Sequence, residues 1–223
     1  MRDLTRFLDL LEEGPTKSPC VFNPWRDWDE RDRAPRKAAP RRRLENLQAY
    51  VEARRSSARV MLMGEAPSHR GCRFSGIAFC SEVELLKKTH LVARKLLVLT
   101  SRAADEKPQR ERSAAVIWDE IEKAGCAFDV VLWNAFPWHP FPAAGPSGNR
   151  KPGTAEVEQG RAVLRALRDC FTHPIEIFAV GKVAEAALSR WEEVECAGYI
   201  RHPSMGGEAR FRDGFRRLVA ARL

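Results

Sequence analysis

The stretch Met61–Phe79, MLMGEAPSHRGCRFSGIAF, begins inside a short apolar run and breaks abruptly into Gly64-Glu65-Ala66-Pro67. The uninterrupted apolar run Val60–Met63 reads as a strand buried on both faces, because a half-exposed strand would alternate apolar and polar residues. The turn that ends it carries one carboxylate, Glu65, to the strand's C-terminal end. Three more runs share this form: Val130–Trp133 before Asn134-Ala135-Phe136-Pro137, Ile175–Val180 before Gly181-Lys182, and Gly198–Ile200 before Arg201-His202-Pro203-Ser204. Helical periodicity fills the intervals, over Glu82–Leu99, Ala114–Ala124, Ala155–Asp169 and Val183–Trp191, and a last helix is expected at about Phe211–Arg222. Strand alternating with helix predicts an α/β fold, a parallel sheet with helices on both faces. Ligands of such sheets bind beyond the C-terminal strand ends, so Glu65, Asn134 and His202 are expected to meet at one edge.

Working outward, Leu44–Arg55 has helical spacing, and Arg33–Arg43, RAPRKAAPRRR, reads as a solvated basic arm. Residues 1–43 are therefore taken as an N-terminal extension and 44–223 as the functional domain. Within the extension, the first fifteen residues read as an amphipathic helix, and Asn23–Trp28 as a turn docking two aromatics. The chain has 223 residues, 44% of them hydrophobic, enough for one sizeable core. It shows neither a membrane-length apolar run nor the pattern of a signal peptide, and a cytoplasmic protein is expected. The formal charge of +8, carried mostly by arginine, favours an anionic partner. Six cysteines occur without a CxxC pair. His69, Cys72 and Cys80 lack a fourth ligand, so free thiols and no metal are expected.

The residues at the predicted edge suit a nucleobase. A side-chain amide such as Asn134 offers an acceptor beside a donor, matching N3–H and O4 of uracil and mismatching cytosine. Phe79 suits stacking on the ring. His202 is placed to stabilise charge growing on O2 of the departing base, and Glu65 to orient water or stabilise a sugar cation. GEAPSHRG is not GxGxxG, and Gly181-Lys182 lacks a phosphate-loop context, so a nucleotide-cofactor fold is not expected.

These motifs, in this order, resemble the uracil-DNA glycosylase superfamily. Gly64-Glu65-Ala66-Pro67-Ser68 is similar to its first motif, the following loop to the one that carries the stacking aromatic Phe79, Trp133–Pro137 to the strand end with the base-reading Asn134, and Arg201–Ser204 to the second motif with its catalytic His202. The resemblance implies a three-layer α/β/α sandwich around a four-stranded parallel sheet. It also implies flipping of a damaged base from DNA and hydrolysis of its glycosidic bond. Glu65 and His202 would be catalytic; Gly64, Ala66, Pro67, Ser68, Phe79, Asn134 and Ser204 would line the base pocket. The loop after Ser204 would enter DNA through Met205 and Arg210, with Arg150 and Lys151 on a basic turn nearby.

The departures from the family pattern are informative. The most efficient branch has Asp where Ala66 stands, which leaves water activation to Glu65, to another group, or to little more than positioning. It has Tyr where Ser68 stands, so a broader substrate range is expected, including hypoxanthine, xanthine and 5-substituted uracils. The GEAP-type branch usually holds an iron–sulfur cluster on four cysteines. Here the N-terminal CxxC is missing and Cys126 precedes the Asn134 strand, so no cofactor is expected. The basic insertion of the branch that traps DNA covalently is also missing. Alternatives from other classes are a catalytically weak or inert nucleic-acid binding protein of the same fold, and an enzyme acting on free nucleosides. A monomer is the working expectation, with no membrane partner.

Overall fold

The computed structural model describes residues 2–15, 18–32, 34–87 and 107–223. Helix α1 (Arg2–Glu13) leads to a short strand β1 (Val21–Phe22) and helix α2 (Ala38–Glu52). Strand β2 (Val60–Gly64) follows, then α3 (Cys72–Ser75), α4 (Glu82–Lys87), α5 (Arg112–Lys123), β3 (Val130–Asn134) and the short β4 (His139–Pro140). The chain closes with α6 (Thr154–Asp169), β5 (Glu176–Val180), α7 (Lys182–Arg190), β6 (Cys196–Ile200), α8 (Glu208–Leu218) and a 3₁₀ turn, Ala220–Arg222. All four expected strands and their helices are present, displaced by a few residues at most. The remainder of the helix expected over Glu82–Leu99 lies outside the described residues.

Four parallel strands form the central sheet in the order β3-β2-β5-β6, between helical layers in a three-layer α/β/α sandwich. Strands β2 and β3 are buried along their whole lengths, which accounts for their unbroken apolar character. The chain leaves β2 toward β3 on one side and returns to β5 on the other. That reversal opens a crevice at the strand ends between β2 and β5. The register pairs Gly64 directly with Asn134, and the ladder continues past the strands: Ala135 N–H donates to Gly64 O at 2.8 Å and Phe136 N–H to Glu65 O at 3.0 Å. The two motif ends are thereby fixed side by side.

The arm expected over residues 33–43 needs correction from Ala38 onward, where α2 begins and buries Ala39, Pro40 and Arg43. Residues 35–37 are exposed, and Arg33 lies outside the described residues. Arg43 is fully buried, donating to Asp32 Oδ1 at 2.6 Å and to the carbonyl of Asp27 at 2.6 Å. Alternating charge and proline hid this, because the apolar face of this turn is made of Ala39 and Pro40. The extension is likewise part of the core: Phe7 and Leu11 of α1 and Trp25 are buried, with the Phe7 ring 5.4 Å from that of Trp133. The short strands β1 and β4 pair antiparallel and join the extension to the segment after β3. At the sheet's β3 edge, α2 supplies partners that a free edge would lack. Leu132 N–H donates to the Tyr50 hydroxyl at 2.9 Å, and Arg54 Nε to Val130 O at 3.0 Å. Among the described residues no helix is long and apolar enough to cross a membrane.

Candidate active site

A cleft of about 830 Å³ opens where β2, β5 and β6 end. The turn after β2 contributes Glu65, Ala66, Pro67 and Ser68 to its wall, and the chain after β6 contributes Arg201, His202 and Ser204. Phe79 also lines it, as do Lys151 and Arg210. Two sequence candidates, Gly64 and Asn134, lie behind this wall. The Phe79 ring rests against Gly64 so closely that a Cβ at residue 64 would overlap it, which explains why glycine ends β2. Asn134 Oδ1 lies on the same side of Gly64. Asn134 is 3% exposed, and its amide makes no hydrogen bond with any described residue.

Phe79 holds a left-handed backbone, φ +49°, which is uncommon for a bulky residue and collects at functional sites. Its carbonyl accepts the indole N–H of the buried Trp118 on α5 at 3.0 Å, so the strained turn is anchored to the core. The ring faces His202 with centroids 5.9 Å apart and planes tilted by 38°.

The His202 Nδ1 accepts the Ser204 backbone N–H at 3.1 Å and sits 2.7 Å from the Ser204 hydroxyl. A ring nitrogen that accepts a backbone N–H cannot carry a proton, so the neutral ring is protonated at Nε2. Burial, with a smaller contribution from Arg201, lowers its pKa to about 4. Near neutral pH the site therefore holds a neutral imidazole with one outward donor.

The Glu65 carboxylate makes no direct hydrogen bond or ion pair with the described residues. Burial raises its pKa, and Lys151 acts in the opposite direction. Beyond Ser204, Met205 has φ +51° and is 91% exposed, a strained turn presenting an apolar side chain to solvent. Arg210 is exposed on the first turn of α8. Arg150 has a different part: Glu156 binds both its terminal nitrogens, at 2.7 and 2.6 Å, and the carbonyls of Phe141 and Cys20 take further donors. Its guanidinium fastens the 149–151 loop to the start of α6, which leaves Lys151 as that loop's exposed cation. The loop's other tie is Asn149 Oδ1, which accepts the His69 backbone N–H at 2.7 Å.

Comparison with known proteins gives the family and the fold. Residues 51–219 match the family described as the uracil DNA glycosylase superfamily. The chain belongs to that superfamily. The solved structure of wild-type Pedobacter heparinus SMUG2 has the same fold, with a TM-score of 0.66 over 98% of this chain and 97% of that one, at 13% sequence identity. No curated protein matches the sequence.

As a superfamily member the chain raises the question of an iron–sulfur cluster, which bears on how its cysteines are placed. Cys126 Sγ donates to Ile121 O and Cys170 Sγ to Ala166 O, each within its own helical segment. Burial pushes the Cys72 and Cys80 thiols upward, which keeps them protonated. Among the described residues no three His, Cys, Asp or Glu side chains are grouped to hold a metal. Sequence reasoning missed one acidic group of this superfamily site, Glu111, which lines the cleft from the residue before α5. It lies outside the strand-end motifs, so no pattern in the chain points to it.

Proposed function

We propose that this chain is a DNA glycosylase that flips uracil or a related deaminated base out of DNA and hydrolyses its N-glycosidic bond, initiating base excision repair. The observation that carries this reading is the placement of Asn134, 3% exposed, with its Oδ1 at the same glycine, Gly64, as the Phe79 ring. A base edge complementary to that amide gains hydrogen bonds of about 0.5–1.5 kcal/mol each. Uracil fits: Oδ1 accepts from N3–H while Nδ2 donates to O4, and cytosine offers the reverse pattern. Phe79 stacks on the ring, contributing about 1–3 kcal/mol.

As the bond from C1′ to the base breaks, its electron pair delocalises onto the base, and the His202 Nε2–H donates to O2. A neutral donor, already oriented by Ser204, serves this without reorganisation. Glu65 orients the water that attacks C1′ and takes its proton. With Ala66 beside it, Glu65 is the carboxylate available from the first motif. Met205 fills the gap left by the base, and Lys151 and Arg210 bind flanking phosphates.

The test is incubation of the purified protein with oligonucleotides containing uracil, hypoxanthine or xanthine, followed by alkaline cleavage. Strand breaks at the lesion are expected. Asn134→Asp should slow uracil release roughly 10²-fold, because the donor to O4 is lost and a carboxylate oxygen faces that carbonyl in its place, together about 3 kcal/mol. Binding without release would favour the inert DNA-binding alternative, and turnover of free nucleosides alone would favour a nucleoside hydrolase.

A further inference from the structure

The cleft holds a second carboxylate that the reaction just described does not use. Glu111 lines the same cavity as Glu65, Phe79 and His202, from the residue that precedes α5. Although part of the residue is exposed, its carboxyl is turned inward and lies directly on Gly71. A Cβ at residue 71 would overlap Glu111 Oε2 and come 2.9 Å from Ser68 Oγ. Gly71 thus provides the seat for this group. Ser68 Oγ is buried beside it without a hydrogen bond of normal geometry. Nor does the Glu111 carboxylate cap α5, whose N-terminus has no side-chain cap. Glu111 thus neither caps a helix nor pairs with a cation among the described residues, and it lines the cleft.

A base that turns its pairing edge to Asn134 turns its remaining polar atoms to that wall. For a pyrimidine these are few. A deaminated purine also presents N7, an acceptor beside the pairing edge that calls for a donor. Purine departure from C1′ has a further need. The electron pair of the C1′–N9 bond enters the imidazole ring, and protonation at N7 turns a poor anionic leaving group into a neutral one.

Resting on the glycosylase reading above, we propose that Glu111 is a second catalytic carboxylate, a general acid that protonates N7 of a flipped hypoxanthine or xanthine, and that these purines are substrates of this site. In the step, Glu111 gives its proton to N7 as C1′–N9 breaks. Water bonds to C1′ and loses its proton to Glu65. Exchange with solvent then restores a protonated Glu111 and an ionised Glu65.

The surroundings support a protonated Glu111. Burial raises its pKa to about 7, Ser68 works in the opposite direction, and Glu84 on α4 adds to the rise. The other titratable groups facing it among the described residues are the thiols of Cys72 on α3 and Cys80, both held neutral by burial. Because the acid form is the active one, hypoxanthine release should decline as the pH rises through about 7.

Single-turnover release of hypoxanthine, 7-deazahypoxanthine and uracil from matched oligonucleotides, between pH 6 and 8.5, tests this. In the wild type, hypoxanthine should leave ~10²-fold faster than its 7-deaza analogue, which has no N7 to protonate. Glu111→Gln should lower the hypoxanthine-to-uracil rate ratio ~10²-fold, abolish the decline above pH 7, and leave the 7-deaza analogue no slower relative to uracil. Gly71→Ala, which displaces the carboxylate without removing it, should lower the same ratio. The proposal is overturned if 7-deazahypoxanthine leaves as fast as hypoxanthine, if Glu111→Gln slows every base alike, or if uracil is released and purines are not. A wild-type protein that releases no base at all overturns the glycosylase reading itself.

Discussion

The chemistry turns on individual protonation states, and His202 is the most sharply defined. The Ser204 backbone N–H occupies Nδ1, and burial followed by Arg201 holds the ring neutral down to a pKa of about 4. His202 should therefore appear in ¹⁵N-resolved ring spectra as a neutral Nε2–H tautomer from pH 8 to pH 5. Titration near 6.5, or an Nδ1–H tautomer, would remove the preoriented donor from the mechanism. The linkage has a definite sign. The unfolded ring binds its proton near 6.5 and the folded ring only near 4, so this residue's contribution to stability is lost as the pH falls across that interval. Phe79 and Met205 show a related economy of design. Both have positive φ, one with its ring against Gly64 and one presenting an exposed side chain.

Among the elements, α2 illustrates how a charged sequence becomes a core helix. Its Arg43 and Asp32 are both fully buried, and burial disfavours each charge, so each depends on the other to remain ionised. Removing one partner strands the other. Arg43→Ala should cost about 3–5 kcal/mol in urea denaturation, whereas Arg41→Ala, at a side chain 79% exposed, should cost under ~1 kcal/mol. Equal effects of the two substitutions would return this segment to the status of a surface arm. The helix pairs α5 and α8 use the opposite arrangement, an open network in which Arg212 and Arg216 both bind Glu120. That network ties both arginines to α5, whereas Arg210 of α8 is exposed.

At the scale of the molecule, the family match covers residues 51–219, yet the fold shared with the SMUG2 structure extends over 98% of the chain. The N-terminal segment accounts for the difference, since Phe7, Leu11 and Trp25 belong to the same core as the sheet. Burial of Phe7 and Leu11 alone contributes roughly 3–6 kcal/mol, comparable with the total stability of a domain. A fragment of residues 44–223 should consequently show no cooperative thermal transition by circular dichroism. A transition close to that of the full chain would establish the extension as dispensable.

Unbroken apolar runs ending in turn residues made β2 and β3 readable from sequence, because a strand buried on both faces has no polar positions to blur it, and the turn residues after them marked β5 and the half-exposed β6. The same feature placed Glu65 and His202 at one edge, since parallel strands present all their C-terminal ends together. The buried Arg43 of α2, the union of α1 and Trp25 with the core and the seat of Glu111 against Gly71 were decided only in three dimensions. Each depends on a partner distant in the chain: a charge is buried only when another element supplies its counterpart, and a carboxylate faces a cavity only when a glycine elsewhere leaves it room.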